Sequence, residues 1–425
     1  MTLTVFTAAL LGAMALGMPI AFALLVCAVA LMFVSGQVDT TILSQKVIEG
    51  ADSFPLLAIP FFMLAGELMN AGGISKRIVD FALAWCGHIR GGLGLVAIFA
   101  SVVMAAISGS AAADAAALGT LLIPMMRGAG YDVPRSAGLI AAGGVIAPVI
   151  PPSIGLIVFG VIANVSIGKL FLAGIAPGIL MGVSLVVAWL WVARKDQVKV
   201  LPRQGAKARL RAGVDGIWAL CMPLGIIGGL KFGIFTPTEA GVAACVYAFV
   251  IGAFVYRELP LRQLYPLLVA AAKSTAVVVF LIATALVSAW IITTSEVPDQ
   301  VAALLSPFVG SPILLMLVIM VLVVIVGTAL DFAPTLMILT PVLMPVVKQA
   351  GIDPVYFGVL FIMNNAIGLI TPPVGIVLNV MCGVAKISLG ELMKGLWPFL
   401  IAELVVLLLL VLFPSLVMVP LKWLM

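Results

Sequence analysis

The sequence predicts an all-α polytopic membrane protein built as two inverted repeats, each holding a re-entrant hairpin and a broken helix. Three observations predict it. Of 425 residues, 64% are hydrophobic and only 9% charged, where a soluble domain carries about 25% charged residues. The two halves can be laid over one another at a nearly constant offset. Within each half the apolar stretches are interrupted at equivalent polar or proline-rich positions. A mean hydropathy of +1.31 leaves too little polar surface to clothe a soluble core. At about 20 residues per spanning helix the chain has room for about ten to fourteen spanning or half-spanning segments.

The first apolar stretch runs from Leu3 to Val34 and is broken at Gly17-Met18-Pro19, as one kinked helix or two short ones. It continues into further apolar segments and needs no cleavable leader. A polar connection follows to Asp52, then an apolar segment from Pro55 to Met69. A mixed stretch carries Lys76, Arg77, Asp80, His88 and Arg90. Residues 93–128 form a hairpin interrupted at Ser108-Gly109-Ser110. Residues 136–165 form a helix broken at Pro148 and Pro151-Pro152, and 171–193 a further span. The loop 194–211 carries Arg194, Lys195, Lys199, Arg203, Lys207, Arg209 and Arg211 against Asp196, which reads as cytoplasmic. It separates a first repeat, 1–193, from a second, 212–425. The second half offers spans at 213–231, 237–256 and 265–293. A hairpin at 313–347 is interrupted at Asp331, a helix at 355–382 is broken at Thr371-Pro372-Pro373, and a last span covers 396–419.

The repeat rests on turn residues, because apolar helices resemble one another anyway. At an offset of 221, Pro124 meets Pro345, Pro151-Pro152 meets Pro372-Pro373, and Pro177 meets Pro398. Gly130, Asp132 and Gly174 meet Gly351, Asp353 and Gly395. With 26 prolines in the chain, four ungapped proline matches are not a product of composition. Pro19 and Cys27 match Pro237 and Cys245 at 218. Five crossings per half, the count if residues 3–34 are two helices, would invert the second half. With 194–211 inside, the other basic clusters also fall inside. The 294–312 loop, with Glu296 and Asp299, falls outside, as do both termini.

The polar inventory excludes whole classes of function. One histidine, His88, argues against a histidine metal site and histidine acid–base chemistry. The five cysteines form no CxxC and read as small apolar residues. There is no Walker A sequence, no HExxH and no GxSxG. The net charge of +5 records topology, so no nucleic-acid partner is implied; membrane lipid is the surrounding partner.

What remains is chemistry at the breaks. Backbone unwound at membrane depth survives only where protein or a watery cavity satisfies it. Its carbonyls suit Na⁺, and half-helix N-termini favour an anion. Paired prolines suit the first turn of a half-helix. Ser110 aligns with Asp331, and Asp114 with Thr335, so each hairpin offers a hydroxyl and a carboxylate four residues apart, on one helical face. Oxygens of this kind suit a hard cation. Gly143-Gly144 aligns with Asn364-Asn365, whose amides can hydrogen-bond substrate or offer a carbonyl to an ion; Thr371 adds another oxygen. Each feature has a plainer reading too. Ser108 and Ser110 also suit close helix packing, the two aspartates an interfacial position, and the prolines a simple kink. Glu67 and Lys273 read as a snorkelling or helix–helix pair, and His88 as interfacial.

The runs SGSAAADAAALG (108–119), GGVIAPVIPPS (143–153), LDFAPTLMILTPVLMP (330–345), NNAIGLITPPVG (364–375) and IPFFMLAGELMNAGG (59–73) together resemble the large membrane subunit of tripartite ATP-independent periplasmic (TRAP) transporters, over essentially the whole chain. The resemblance implies a bacterial inner-membrane, Na⁺-coupled importer of elevator type. A periplasmic binding protein would deliver an organic acid, and a small four-helix subunit would pack alongside. The chain reads as the large subunit alone. The resemblance places Na⁺ sites at the Ser108–Ser110 tip with the 143–152 break, including Asp114 and Gly144. A second set falls at the Asp331 tip with the 364–373 break, including Thr335, Asn365 and Thr371. Gly109, Pro151, Pro152, Asn364, Pro372 and Pro373 are expected to contact or gate substrate. No cofactor is expected beyond Na⁺ as coupling ion. The competing readings are a stand-alone elevator-type anion/Na⁺ symporter or antiporter, an intramembrane enzyme, and a passive channel subunit.

Overall fold

The computed structural model describes every residue except 1, 37, 196–197, 199, 296 and 373–374. The charges of Asp196, Lys199 and Glu296, and Pro373, which is expected to gate or contact substrate, therefore lie outside the described residues. Among those described there is no strand. Among the described residues seven helical stretches, from Phe54–Ala71 to Leu389–Leu412, are long and apolar enough to cross a membrane, and eight shorter apolar helices of 10–17 residues accompany them.

Residues 3–34 form two helices, α1 (Thr2–Ala15) and α2 (Ile20–Ser35). The chain reverses through Gly17 at φ 77°, a left-handed conformation that costs glycine little. Then come α3 (Thr40–Ala51), α4 (Ala58–Ala71) and α5 (Ile74–Cys86). Asp39 caps α3 by accepting the Thr41 N–H at 2.7 Å. The first hairpin is α6 (Gly92–Ser108) and α7 (Ala111–Gly128); the first broken helix is α8 (Val133–Gly144) and α9 (Ile154–Ala163), followed by α10 (Ile167–Val192). The second half repeats this order. It has α11 (Ala206–Lys231), α12 (Pro237–Val250), α13 (Leu264–Thr294), α14 (Val297–Val309), the hairpin α15 (Pro312–Ala329) and α16 (Phe332–Gln349), the broken helix α17 (Pro354–Gly368) and α18 (Ile376–Ala385), then α19 (Leu389–Leu412) and α20 (Ser415–Leu424).

By its sequence 294–312 reads as a loop, and the structure corrects this with α14. Val301, Leu305 and Phe308 recur at helical spacing and turn inward, Leu305 being buried. The few charges in the segment hid that face.

Packing is reciprocal between the halves. Helix α2 lies on α13 and α4 on α12; α8 lies on α19 and α17 on α10. Each hairpin also packs on the far half-helix of the other half, α7 against α18 and α16 against α9. The hairpins and broken helices thus form one interleaved body, with the four helix interruptions brought together inside it. On the outside of this body, Arg77 on α5 reaches Glu258 at 2.9 Å and lies 3.7 Å from the Tyr256 ring centroid. That guanidinium holds the Glu258 carboxyl below its usual range.

Candidate functional site

The first hairpin tip turns through Gly109, at φ 62°. A Cβ there would come 2.9 Å from the Pro152 carbonyl oxygen, so glycine serves both the turn and the close approach. The turn folds Ser108 back over the first turn of α7. Its hydroxyl donates to Asp114 Oδ1 at 2.5 Å and accepts the Ser110 N–H at 3.1 Å. Asp114 is 1% exposed, and its Oδ2 has no partner. The sequence reading paired Ser110 with this carboxylate; the structure pairs Ser108. Ser110 sits in extended backbone at the N-cap of α7 and makes no side-chain cap, so the left-handed turn hands the contact to the residue before it.

The second tip is built differently. Leu330 is extended, at φ −106°. Asp331 caps α16, its Oδ1 accepting the Phe332 N–H at 2.6 Å. Thr335 does meet Asp331, but through the backbone: its hydroxyl donates to the Asp331 carbonyl at 2.9 Å. Asp331 is exposed, whereas Thr335 is fully buried.

At the first break Ser153, buried, is the N-cap of α9. It donates to the Pro148 carbonyl at 2.5 Å and accepts the Leu156 N–H at 3.3 Å. Pro151 and Pro152 therefore lie ahead of the cap, not in the first turn as the sequence reading had them, because the serine hydroxyl takes the capping position. At the second break Thr371 donates back to the Ile367 carbonyl at 2.9 Å, and Pro372 is half-buried. Helix α18 starts only at Ile376, after Gly375, so Pro372 too precedes the helix.

The broken helices are fastened to the hairpins. In the second half Asn365 Nδ2 donates to the Phe332 carbonyl at 2.6 Å, and Asn364 Nδ2 to the Met320 carbonyl at 2.7 Å. Both Oδ1 atoms are buried and unpartnered. In the first half the aligned residues have no side chain. A Cβ on Gly144 would lie 2.8 Å from the Ala111 carbonyl oxygen and 3.0 Å from Ala115 Cβ, and one on Gly143 would collide with Ser101 Oγ.

The two tips and the two downstream half-helices enclose a cavity of about 260 Å³. Its wall includes the N-terminal residues of four helices: Ser110 and Ala111 of α7, Ile154 and Gly155 of α9, Asp331 and Phe332 of α16, and Ile376 and Val377 of α18. Met63 and Val278 close it from α4 and α13. Asp331 is the charged side chain on the wall; none of the lining residues is basic. Backbone N–H groups at helix starts favour an anion. The unpartnered oxygens of Asp114, Asn364 and Asn365 are hard donors, fitting an alkali or alkaline-earth cation rather than a soft metal.

Glu403 escaped the sequence reading. It is fully buried on α19, and neither carboxylate oxygen has a partner among the described residues. The signal was available: one acid inside a long apolar run. Glu67 is half-buried and Lys273 exposed, and among the described residues they form no ion pair with each other. His88 is half-buried, with Nδ1 unpartnered.

Comparison with known proteins gives a consistent picture. The family "Tripartite ATP-independent periplasmic transporter, DctM component" matches residues 7–416. The chain is similar to the 2,3-diketo-L-gulonate TRAP transporter large permease protein of Escherichia coli (strain K12), 54% identical with 100% of each chain covered. It is also similar to the C4-dicarboxylate TRAP transporter large permease protein of Pseudomonas aeruginosa, 37% identical with 90% of each chain covered. Among solved structures it resembles the YdaH transporter of Alcanivorax borkumensis, with a TM-score of 0.63 at 16% identity over 88% of each chain, which speaks to the fold.

Proposed function

Since the chain belongs to the DctM family of TRAP transporters and is a multi-pass large permease subunit, not an enzyme, we propose that it imports a small organic acid together with Na⁺. The acid is received from a periplasmic binding protein, and a small four-helix subunit packs against this chain. A sugar acid is the favoured class, by the 54% identity to a diketogulonate permease. The protein sits in a bacterial inner membrane with both termini periplasmic, the basic 194–211 loop inside, and residues 1–193 and 212–425 as inverted repeats. In that orientation each hairpin is re-entrant.

One observation carries the reading: four half-helix N-termini and a single carboxylate converge on one cavity. The cavity is smaller than the about 300–1,000 Å³ of common small-molecule pockets, which suits a compact acid. Its electrostatics argue for coupling. A substrate carboxylate brought beside Asp331 would set two negative charges side by side, and they repel. Na⁺ bound at the tips offsets that charge, so anion and cation enter together. The residues that would hold Na⁺ are Ser108, Ser110, Asp114 and the Gly144 carbonyl on one side, with Asp331, Thr335, Asn365 and Thr371 on the other. Gly109, Asn364 and the proline segments would position the tips against substrate. Binding there ties hairpin to broken helix, so the loaded body moves as a unit past α4 and α13, in the manner of an elevator.

Reconstitution tests this. The chain and its small subunit are placed in proteoliposomes and supplied with binding protein carrying a labelled acid. Uptake is expected to need both an inward Na⁺ gradient and the binding protein. Uptake unaffected by replacing Na⁺ with K⁺ would break the coupling claim. Uptake that ignores the binding protein would favour a stand-alone symporter or antiporter.

A further inference from the structure

A second, larger cavity of about 710 Å³ lies on the same seam as the first. The inner cavity runs along α9 to Val158 and along α16 to Met337; the outer one resumes at Ile162 and Pro341. The gap is four residues on each helix, one turn or about 6 Å. On the facing helix α13 the inner cavity touches Val278 and the outer one runs from Leu286 to Thr294. Helix α3 completes the outer wall and is seated on α13 at Gly50, where a Cβ would lie 2.8 Å from Ala283 Cα.

The two cavities have opposite electrostatics. The inner wall carries one carboxylate and no cation; the outer wall carries Lys46, Lys348 and Glu49. Lys46 pairs with Glu49 at 2.6 Å, whereas Lys348 is exposed and has no ion partner among the described residues. Trp290 lines the same space half-buried, with exposed Asn164 and Thr293 beside it. The unpaired Lys348 ammonium and the Lys46–Glu49 pair leave a net positive wall, which with an indole and neutral hydrogen-bonding groups suits a hydroxylated carboxylate.

We infer that this outer cavity is a separate capture site for the organic acid, holding the anion by Lys46 and Lys348 one helical turn outside the transport cavity. The assignment of substrate class rests on the proposed function, as does its placement on the periplasmic face; the anion preference rests on the two lysines. Charge does the collecting where water still screens. The inner cavity then holds the anion by helix N-termini, without a basic side chain that would retain it.

The test uses the full chain with its partner subunit in right-side-out vesicles, carrying Thr293→Cys. Labelling by an anionic and by a cationic methanethiosulfonate is read at that residue by peptide mass spectrometry, which sets aside the native cysteines. At low ionic strength the anionic-to-cationic rate ratio is expected to fall about fivefold or more when Lys46→Gln and Lys348→Gln are added, and to recover with Lys348→Arg. Gluconate, as the probe, is expected to slow labelling in the parent and not in the double glutamine variant. An unmoved ratio, absent protection, or equal protection in both backgrounds would overturn the site. Labelling confined to inside-out vesicles, with ratio and protection intact, would instead overturn the membrane orientation and leave the site standing.

Discussion

The two hairpin tips occupy equivalent places in the fold and are held by different physics. In the first half the hairpin meets its broken helix through glycine. Gly109 passes the Pro152 carbonyl and Gly144 passes the Ala111 carbonyl, both too close for a Cβ. In the second half two asparagine amides make the connection, Asn365 to Phe332 and Asn364 to Met320. The acids divide in the same way. Asp114 is sealed in and bound by Ser108, while Asp331 caps its helix and faces the cavity. A duplicated scaffold therefore does not imply duplicated sites: the first half joins hairpin to broken helix by close backbone contact and seals its acid, while the second joins them by side-chain amides and exposes its acid.

The largest effect expected from this contrast is at Asp331. Asp331→Asn keeps the shape and the cap but removes the charge facing the cavity. Na⁺ activation of uptake is expected to weaken at least about tenfold, or about 1.4 kcal/mol, measured as the Na⁺ concentration giving half-maximal uptake. Asp114→Asn is expected to shift it less, because Ser108 and burial already hold that side chain. Equal shifts would erase the distinction between the tips.

The seams come next. Gly144→Val forces α8 off α7 and is expected to cost about 1–3 kcal/mol from overpacking, read as a lower melting temperature of the detergent-solubilised protein. Asn365→Ala removes the side-chain hydrogen bond to the Phe332 carbonyl, which keeps its helical partner, a loss of about 0.5–1.5 kcal/mol. The two should differ in character. The asparagine change also removes the buried, unpartnered Oδ1 that would face Na⁺ and should lose the Na⁺-induced rise in melting temperature outright, while the glycine change, which keeps its backbone carbonyl, should lower stability and keep part of that rise. If Gly144→Val abolished the rise and Asn365→Ala left it intact, the assignment of roles to the halves would be reversed.

The contrast also explains what could be read from residues alone. The breaks at Ser108-Gly109-Ser110, at Pro148 and Pro151-Pro152, at Asp331 and at Thr371-Pro372-Pro373 are legible in the sequence because glycine, proline, serine, threonine and aspartate stand out against apolar runs. The partners across each break are not. Ser108 rather than Ser110 reaches Asp114 because a left-handed residue reverses the chain between them, and a four-residue spacing argument presumes an unbroken helix. The prolines were placed in the half-helices, but Ser153 outcompetes them for the first break's cap. Helix α14 does not stand out in the sequence because Glu296 and Asp299 mark its segment as a polar loop, while its inward face is carried by Val301, Leu305 and Phe308. The alignment of Gly143-Gly144 with Asn364-Asn365 was visible, yet only their surroundings show that one pair works by absence and the other by its amides.

Glu403 sharpens the comparison from outside the tips. Its counterpart at the 221-residue offset is Gly182, packed so that a Cβ would lie 2.7 Å from Val102 Cγ2. The first half thus uses that position for close contact, and the second buries a carboxyl whose oxygens meet no partner. An unsatisfied buried polar group costs about 1–3 kcal/mol, so Glu403→Leu, similar in bulk and apolar, is expected to raise the melting temperature. A costly acid inside the membrane is normally there for function, so uptake is expected to fall with that gain, in the familiar trade between stability and activity. The fall should be smaller than for Asp331→Asn, because Glu403 lines neither the cavity nor a tip. If Glu403→Leu destabilised the protein instead, the carboxyl would have a structural partner and the asymmetry between the halves would be confined to the tips and their seams.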